Sequence, residues 1–180
     1  MELAEPGAHL MVKIFLLAFL FMSHSNASFL AGISTNSWQE KIPIIVASVP
    51  SDNMASFSSY GVNVGFDYLY QPRVRYALML SYLSGNADIH KVLNAVSPRR
   101  HFSASWVTNK LHWRLTKSFS LGPSVVFNYR KIDGLEAALS SGGFLDFDYD
   151  LFDQVRLTQS LGTMSDSKQL AYSLTLVRKF

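Results

Sequence analysis

Cysteine is absent from this 180-residue chain. That excludes a disulfide framework, a thiol nucleophile, thiolate metal sites and a lipidated-cysteine anchor. Charge is scarce as well: Asp, Glu, Lys and Arg make up 16% of the residues and leave a formal net charge of +3. So small and scattered an excess gives no basic footprint for nucleic acid. No apolar run approaches the ~20 residues that a membrane-spanning helix requires. Phosphate-binding loops, dinucleotide glycine patterns and His-x-x-x-His zinc motifs are missing. The aspartates Asp146, Asp148 and Asp150 alternate as on a strand, without the glycine and loop spacing of a calcium hand. No cofactor or metal is expected. Heptads and repeats of about 20–50 residues are absent too, and the length leaves room for one domain.

What is present begins with a leader. Val12–Met22 is almost continuously apolar around Lys13, and Ser25 and Ala27 supply small residues where a signal peptidase reads them. A basic residue, a short apolar core and a small-x-small exit make a secretory signal over residues 1–27. Glu2 and Glu5 oppose the usual positive start, so translation reads best from Met11. Residues 28–180 are expected to form a single domain.

The dominant pattern of that domain has period two, the mark of strands whose side chains alternate between faces. Tyr60, Val62, Val64, Phe66, Tyr68 and Tyr70 share one face, against Gly61, Asn63, Gly65 and Asp67. After a Gln71-Pro72-Arg73 turn, Val74, Tyr76, Leu78, Leu80 and Tyr82 oppose Arg73, Arg75, Ala77, Met79 and Ser81. Phe102–Thr116 alternates with a slip near Thr108-Asn109, which predicts a bulge. Its end sets Leu111, Trp113 and Leu115 against Lys110, His112 and Arg114. Phe29–Thr35, Phe119–Tyr129, Leu145–Leu151, Val155–Leu161 and Leu170–Phe180 alternate in the same way, giving eight strands in all. The segments between them run alternately long and short. The long ones are Asn36–Ser56, Ser84–His101, Lys131–Gly142 and Gly162–Lys168; tight turns fall at Pro72, Lys117-Ser118 and Asp153-Gln154. The apolar patch Ile42–Val46 reads equally as strand extension or as loop.

An even strand number with short turns at one end and long loops at the other is the pattern of an outer-membrane barrel. At about eleven residues per tilted strand, roughly 88 residues are used and about 65 remain for connections. The last strand is the most specific segment. Leu170, Tyr172, Leu174, Leu176 and Phe180 share one face, against Ala171, Ser173, Thr175 and Lys179. Left bare, that apolar edge would aggregate; in a closed barrel it pairs with the first strand. This tail resembles the terminal strand of bacterial outer-membrane β-barrels, where the final aromatic residue is recognised by the barrel-assembly machinery. Arg178 departs from the apolar residue usual two positions before the end. Over its mature length the chain resembles the small eight-stranded barrels of the OmpX type, or the membrane domain of OmpA. The resemblance implies an all-β, eight-stranded antiparallel up-and-down transmembrane β-barrel with short periplasmic turns and long external loops. It further implies a monomer, integral to the bacterial outer membrane and in contact with its lipid and lipopolysaccharide. The implied role is non-enzymatic: envelope integrity, surface contact or adhesion, with no large pore.

Alternation alone leaves a soluble rival, a lipocalin-like ligand binder or a sandwich with its apolar face inward. Two features favour lipid outside. Tyr and Trp sit near strand ends on the apolar face, as interfacial girdles require, and the polar face is mostly Gly, Ala, Ser, Asn and Thr rather than dense Lys and Glu. With the polar face inside, Arg73, Arg75, Lys110, Arg114, Asp146, Asp148, Asp150, Arg156 and Lys179 line the lumen. Buried charges must pair, which predicts Asp–Arg bridges filling an interior only wide enough for side chains; an ion path through them is the sharper alternative. His101 and Ser103, with Glu136 or Asp133 in the next loop, are the only arrangement that could activate a serine hydroxyl. That arrangement resembles outer-membrane lipid A deacylases, although the spacing of Glu136 does not match. His90, Lys91, Arg99 and Arg100 form a basic external loop suited to lipopolysaccharide phosphates or an acidic surface ligand.

Overall fold

The computed structural model describes residues 27–46, 49–90, 99–167 and 169–180. The expected leader (its last residue Ala27 apart), its start at Met11, and Lys91 lie outside these residues. Strands β1 (Ala27–Val46), β2 (Val49–Gln71), β3 (Val74–His90), β4 (Arg99–Arg114), β5 (Phe119–Ile132), β6 (Ala138–Phe152), β7 (Val155–Met164) and β8 (Ala171–Lys179) follow in chain order. Each pairs antiparallel with the next, and β8 returns to β1 to close the barrel. Closure runs from Leu30 opposite Lys179 to Ser37 opposite Tyr172. The N–H of Phe180 adds one further bond to the carbonyl of Phe29, at 2.9 Å. The end carrying the short β2–β3, β4–β5 and β6–β7 turns is here called the lower end.

Alternation sorts the faces as a lipid-embedded barrel requires. Tyr60, Val62, Tyr70, Tyr76, Tyr82, Trp113, Phe127, Tyr129, Leu145, Tyr149, Tyr172, Leu176 and Phe180 point outward and are exposed, while Asn63, Asp67, Arg75, Lys110, Asp146, Asp148 and Arg156 are buried inside. From Tyr60 to Tyr70 the apolar face of β2 takes ten steps. At a rise of ~3.4 Å and a tilt of ~45° this spans about 24 Å, close to the ~25 Å apolar band of membrane barrels. Tyr60, Tyr82 and Tyr129 rim the belt above; Tyr76, Trp113, Tyr149 and Phe180 rim it below.

The segments expected as external loops are mostly strand. β1 and β2 stay paired up to Val46 opposite Val49, so Ile42–Val46 is strand and Asn36–Ser56 is the top of a hairpin. β3 continues to His90, β4 begins at Arg99, and Asp88 faces Arg99. Only residues 133–137 of Lys131–Gly142 lie outside strands, around Gly134 with φ at 75°, a left-handed conformation that glycine adopts without steric cost. The physical reason is a change of environment along each strand. Above the belt the outward residues Ser56, Ser58, Ser84, Asn86, Asp88, His101, Ser103 and Ser105 are polar, while the inward Trp38, Ile42, Phe57, Ile89, Phe102 and Trp106 are apolar. The hydropathy phase inverts, and a reading that follows one phase ends the strand too early.

The same inversion removes the bulge expected at Thr108-Asn109. Inward positions run without interruption through Phe102, Ala104, Trp106, Thr108, Lys110 and His112, and the pairing of β4 with β3 keeps one register. Register shifts occur instead at the lower turns, between Leu69 and Gln71 and between Asp150 and Phe152. The pairing of β4 with β5 also skips from Lys110–Ser124 to Trp113–Leu121. Pro123, which lacks an N–H, lies in that gap. Gly122 lies there too, against the backbone of Leu111 and His112 with no room for a Cβ.

Candidate functional site

The inward faces of the strands build a lumen in three levels. The lowest is ionic. Asp148 sits at its centre: Oδ2 accepts from Arg75 Nη2 at 2.8 Å and faces His112 Nδ1 at 2.6 Å, and Oδ1 accepts from Thr158 Oγ1 at 2.6 Å. Arg75 also lies 3.3 Å from Asp67, and Arg156 joins Asp67 and Asp150 at 2.8 Å each. Lys179 closes the lower mouth on Asp150 at 3.0 Å, and Lys110 reaches Asp146 at 2.9 Å. Four carboxylates thus meet four Lys or Arg side chains contributed by six of the eight strands, with His112 as a further partner. Asp146, Asp148 and Arg156 are almost wholly buried. Charges so enclosed are tolerated only when paired and hydrogen-bonded.

The middle level is neutral and polar, with Ser34, Asn36, Ser59, Asn63, Ser81, Thr108, Ser160, Ser173 and Thr175 turned inward. It lines part of a cavity of about 30 Å³. Above it lies an aromatic cap. Trp38 stacks on Phe57 with centroids 4.9 Å apart and planes 9° apart, and Phe102 stands edge-on to both. Trp106 packs against Trp38 at 5.0 Å and Phe144 against Trp106 at 6.1 Å. Each such pair is worth about 0.5–1.5 kcal/mol beyond the area it buries. One ion pair crosses the cap: Arg130 Nη1 lies 2.9 Å from Glu40 Oε2, while Ser140 Oγ donates to Glu40 Oε1. Arg130 also donates to the carbonyl of Lys41 at 3.3 Å and lies over the Phe57 ring. This ties the top of β1 to β5, above Ser37 where β1 has lost its pairing with β8.

By sequence the chain matches no family model and no curated protein. By structure it aligns with the outer membrane protein OprG from Pseudomonas aeruginosa, with a TM-score of 0.55 at 14% identity, over 86% of this chain and 96% of that one. Ail, the attachment invasion locus protein of Yersinia pestis, aligns at 13% identity and a TM-score of 0.45, over 86% and 98% of the two chains. The likeness to OprG, joined to the closed strand order, decides the architecture. The chain has the fold of the small outer-membrane β-barrels.

In this outer-membrane barrel fold, Arg75, Lys110, Asp146, Asp148, Asp150 and Arg156 meet inside. Arg73 and Arg114 do not. Arg73 lies in the exposed β2–β3 turn, and Arg114, at the end of β4, donates to the carbonyls of Thr116 and Lys117. Their parity matched the inner face, but both stand below the last closed rung, where the chain turns away from the lumen. Asp67, His112, Glu40 and Arg130 complete the interior charges. Asp67 and His112 share parity with Arg75 and Lys110 and were legible as partners. Glu40 was hidden by reading Asn36–Ser56 as loop, and Arg130 fell just past the strand expected to end at Tyr129.

The candidate hydrolase residues are not assembled. His101 Nε2 lies 3.0 Å from Ser84 Oγ on the outer surface, so its partner is Ser84 rather than Ser103. Glu136 sits exposed in the β5–β6 turn. Of the basic external residues, His90 faces Ser56 at 2.8 Å, Arg99 lies 3.9 Å from Asp88, and Arg100 donates to the carbonyl of Asp133. Arg100 thereby braces the β5–β6 turn. In the terminal strand, Tyr172, Leu174, Leu176 and Phe180 lie on the outward face, and Leu170 precedes β8.

Proposed function

We propose that this chain is an exported, integral, non-enzymatic protein of the bacterial outer membrane whose lumen is closed and whose work is done at the outer surface. The observation that carries this reading is the filled interior. Two unlike fillings, an ion-pair layer and an aromatic cap, lie one above the other, and an eight-stranded barrel leaves little width around them. On the outside, the polar strand tops above the Tyr60–Tyr82–Tyr129 rim stand where lipid headgroups meet water. His90, Arg99 and the neighbouring hydroxyls there suit contact with lipopolysaccharide sugars and phosphates. Residues 1–27 serve as the export leader. The outward aromatic face of β8, ending at Phe180, serves as the assembly signal.

Conductance in planar bilayers tests the closed lumen. The intact barrel is expected to give no sustained openings. Replacing Trp38, Phe57 and Phe102 together by alanine is expected to introduce flickering ones, because the cap loses its rings while the lower layer remains. Stable nanosiemens channels in the unaltered protein would sink this reading. Cell fractionation with heat-modifiable gel migration tests location, since recovery in the aqueous fraction is incompatible with it. The hydrolase alternative predicts altered lipid A in cells expressing the wild type, lost on replacing both His101 and Ser103 by alanine. With His101 engaged by Ser84, unchanged lipid A in both strains is expected.

A further inference from the structure

We propose that the cavity between the ion-pair layer and the aromatic cap is a binding site for one small monovalent anion of halide size. Its lining includes Asn36, Asn63, Ser81, Trp106, Thr108 and Lys110. Two of the lining residues carry a buried donor with no hydrogen-bond partner among the described residues: Asn63 Nδ2 and Trp106 Nε1. Both residues are more than nine-tenths buried, and both orphan atoms are donors. Leaving such a donor unmatched costs about 1–3 kcal/mol, so an acceptor belongs there. The hydroxyls of Ser81 and Thr108 can rotate to donate as well. Lys110 brings an ammonium with three N–H groups, and its partner among the described residues is Asp146.

The charge count points the same way. Asp67, Asp146, Asp148 and Asp150 are matched by Arg75, Arg156, Lys110 and Lys179. His112 then stands with Nδ1 2.6 Å from Asp148 and Nε2 3.4 Å from Asp146. Ionised carboxylates only accept hydrogen bonds, so a ring facing one on each side donates from both nitrogens and is cationic. The layer therefore holds five positive groups against four negative ones. Lys110, the cation of this layer that lines the cavity, shares Asp146 Oδ2 with His112. A single anion beside Lys110, Asn63 and Trp106 balances the excess and satisfies both orphan donors. A volume of about 30 Å³ holds one halide or about two waters.

The test uses the whole barrel in detergent, crystallised with bromide in place of chloride and measured at the bromine absorption edge. An anomalous peak beside Trp106 and Asn63 is expected. It should be lost in Asn63→Leu combined with Trp106→Phe, a pair that removes both donors at near-constant volume. Thermal unfolding in gluconate, too large for the cavity, is expected to rise saturably with added chloride or bromide. Water alone in the cavity overturns the proposal. So does a bromide peak without a saturable stability response, which means binding at crystal concentration only. Should the double variant fail to fold, the wild-type peak and titration decide between these outcomes.

Discussion

Asp148→Ala is expected to be the most damaging single truncation in the lumen, costing about 3–5 kcal/mol because it leaves buried cations uncompensated. Its carboxylate is where three strands meet β6: Arg75 comes from β3, His112 from β4 and Thr158 from β7. Alanine removes the acceptor from every one of those partners at once and supplies no path for water to replace it. At about 2–4 °C per kcal/mol for a chain of this size, the unfolding midpoint should fall by roughly 6–20 °C. Asp150→Ala provides the internal control. Its partners, Arg156 and Lys179, lie at 2.8 and 3.0 Å, but the carboxylate and Lys179 sit at the partly exposed mouth. Water can solvate what is left there, so less than half the loss is expected. Heat-modifiable gel migration against temperature measures both. Equal shifts would mean that depth in the lumen does not govern the cost, and the buried layer would lose its special standing. Asp148→Leu with Arg75→Met is expected to recover part of the loss, since a buried pair replaced by apolar groups of like volume is often neutral.

The barrel itself was legible in the sequence because within the belt one rule predominates, apolar out and polar in, with Leu30, Met79 and Val177 as inward apolar exceptions. Tyr60–Tyr70 follows it closely, and Tyr172–Phe180 follows it apart from Val177 inside and Arg178 outside; the face and the pairing of both agree with expectation. The top third was illegible for an equally definite reason. Above the belt the outer face turns polar and the inner one is a packed cap, so the rule reverses. In β4 the reversal falls between Trp106 and Thr108, where the inward face changes from aromatic to polar while the register is unbroken. A bulge and a solvent-to-lipid boundary leave the same mark on a hydropathy pattern. The boundary alone preserves the parity of the side chains, and parity carried upward from Lys110 would have found Trp106 and Phe102. The interior charges divide in the same way. Those inside the belt, such as Arg75 with Asp148, were legible from parity. The Glu40–Arg130 pair was not, because both residues lie above the belt, where the inward face is no longer the polar one and parity read by hydropathy points the wrong way.

That reversal makes the position of the membrane a measurable quantity. Leu80 and Asn86 both point outward from β3, six residues apart on one face, Leu80 opposite Val64 and Val107 and Asn86 opposite Ser58 and His101. In lipid the first stands near mid-belt and the second above the tyrosine rim. Leu80→Arg is therefore expected to cost about 2–4 kcal/mol on folding into vesicles, the midplane value for a lipid-facing arginine. Tyr82→Arg, at the rim, should cost about 0–1 kcal/mol. Asn86→Arg, a surface change in water, should stay within about 0.5 kcal/mol. Reversible urea unfolding from phospholipid vesicles gives all three on one scale. A barrel of this shape standing in water makes the opposite demand: an arginine for the outward, half-buried Leu80 would relieve an apolar patch, and the three variants would be indistinguishable or ordered the other way. A steep gradient from Asn86 down to Leu80 is what hydrocarbon around the belt requires, because only hydrocarbon penalises a charge by depth while leaving the outward geometry of the strand unchanged.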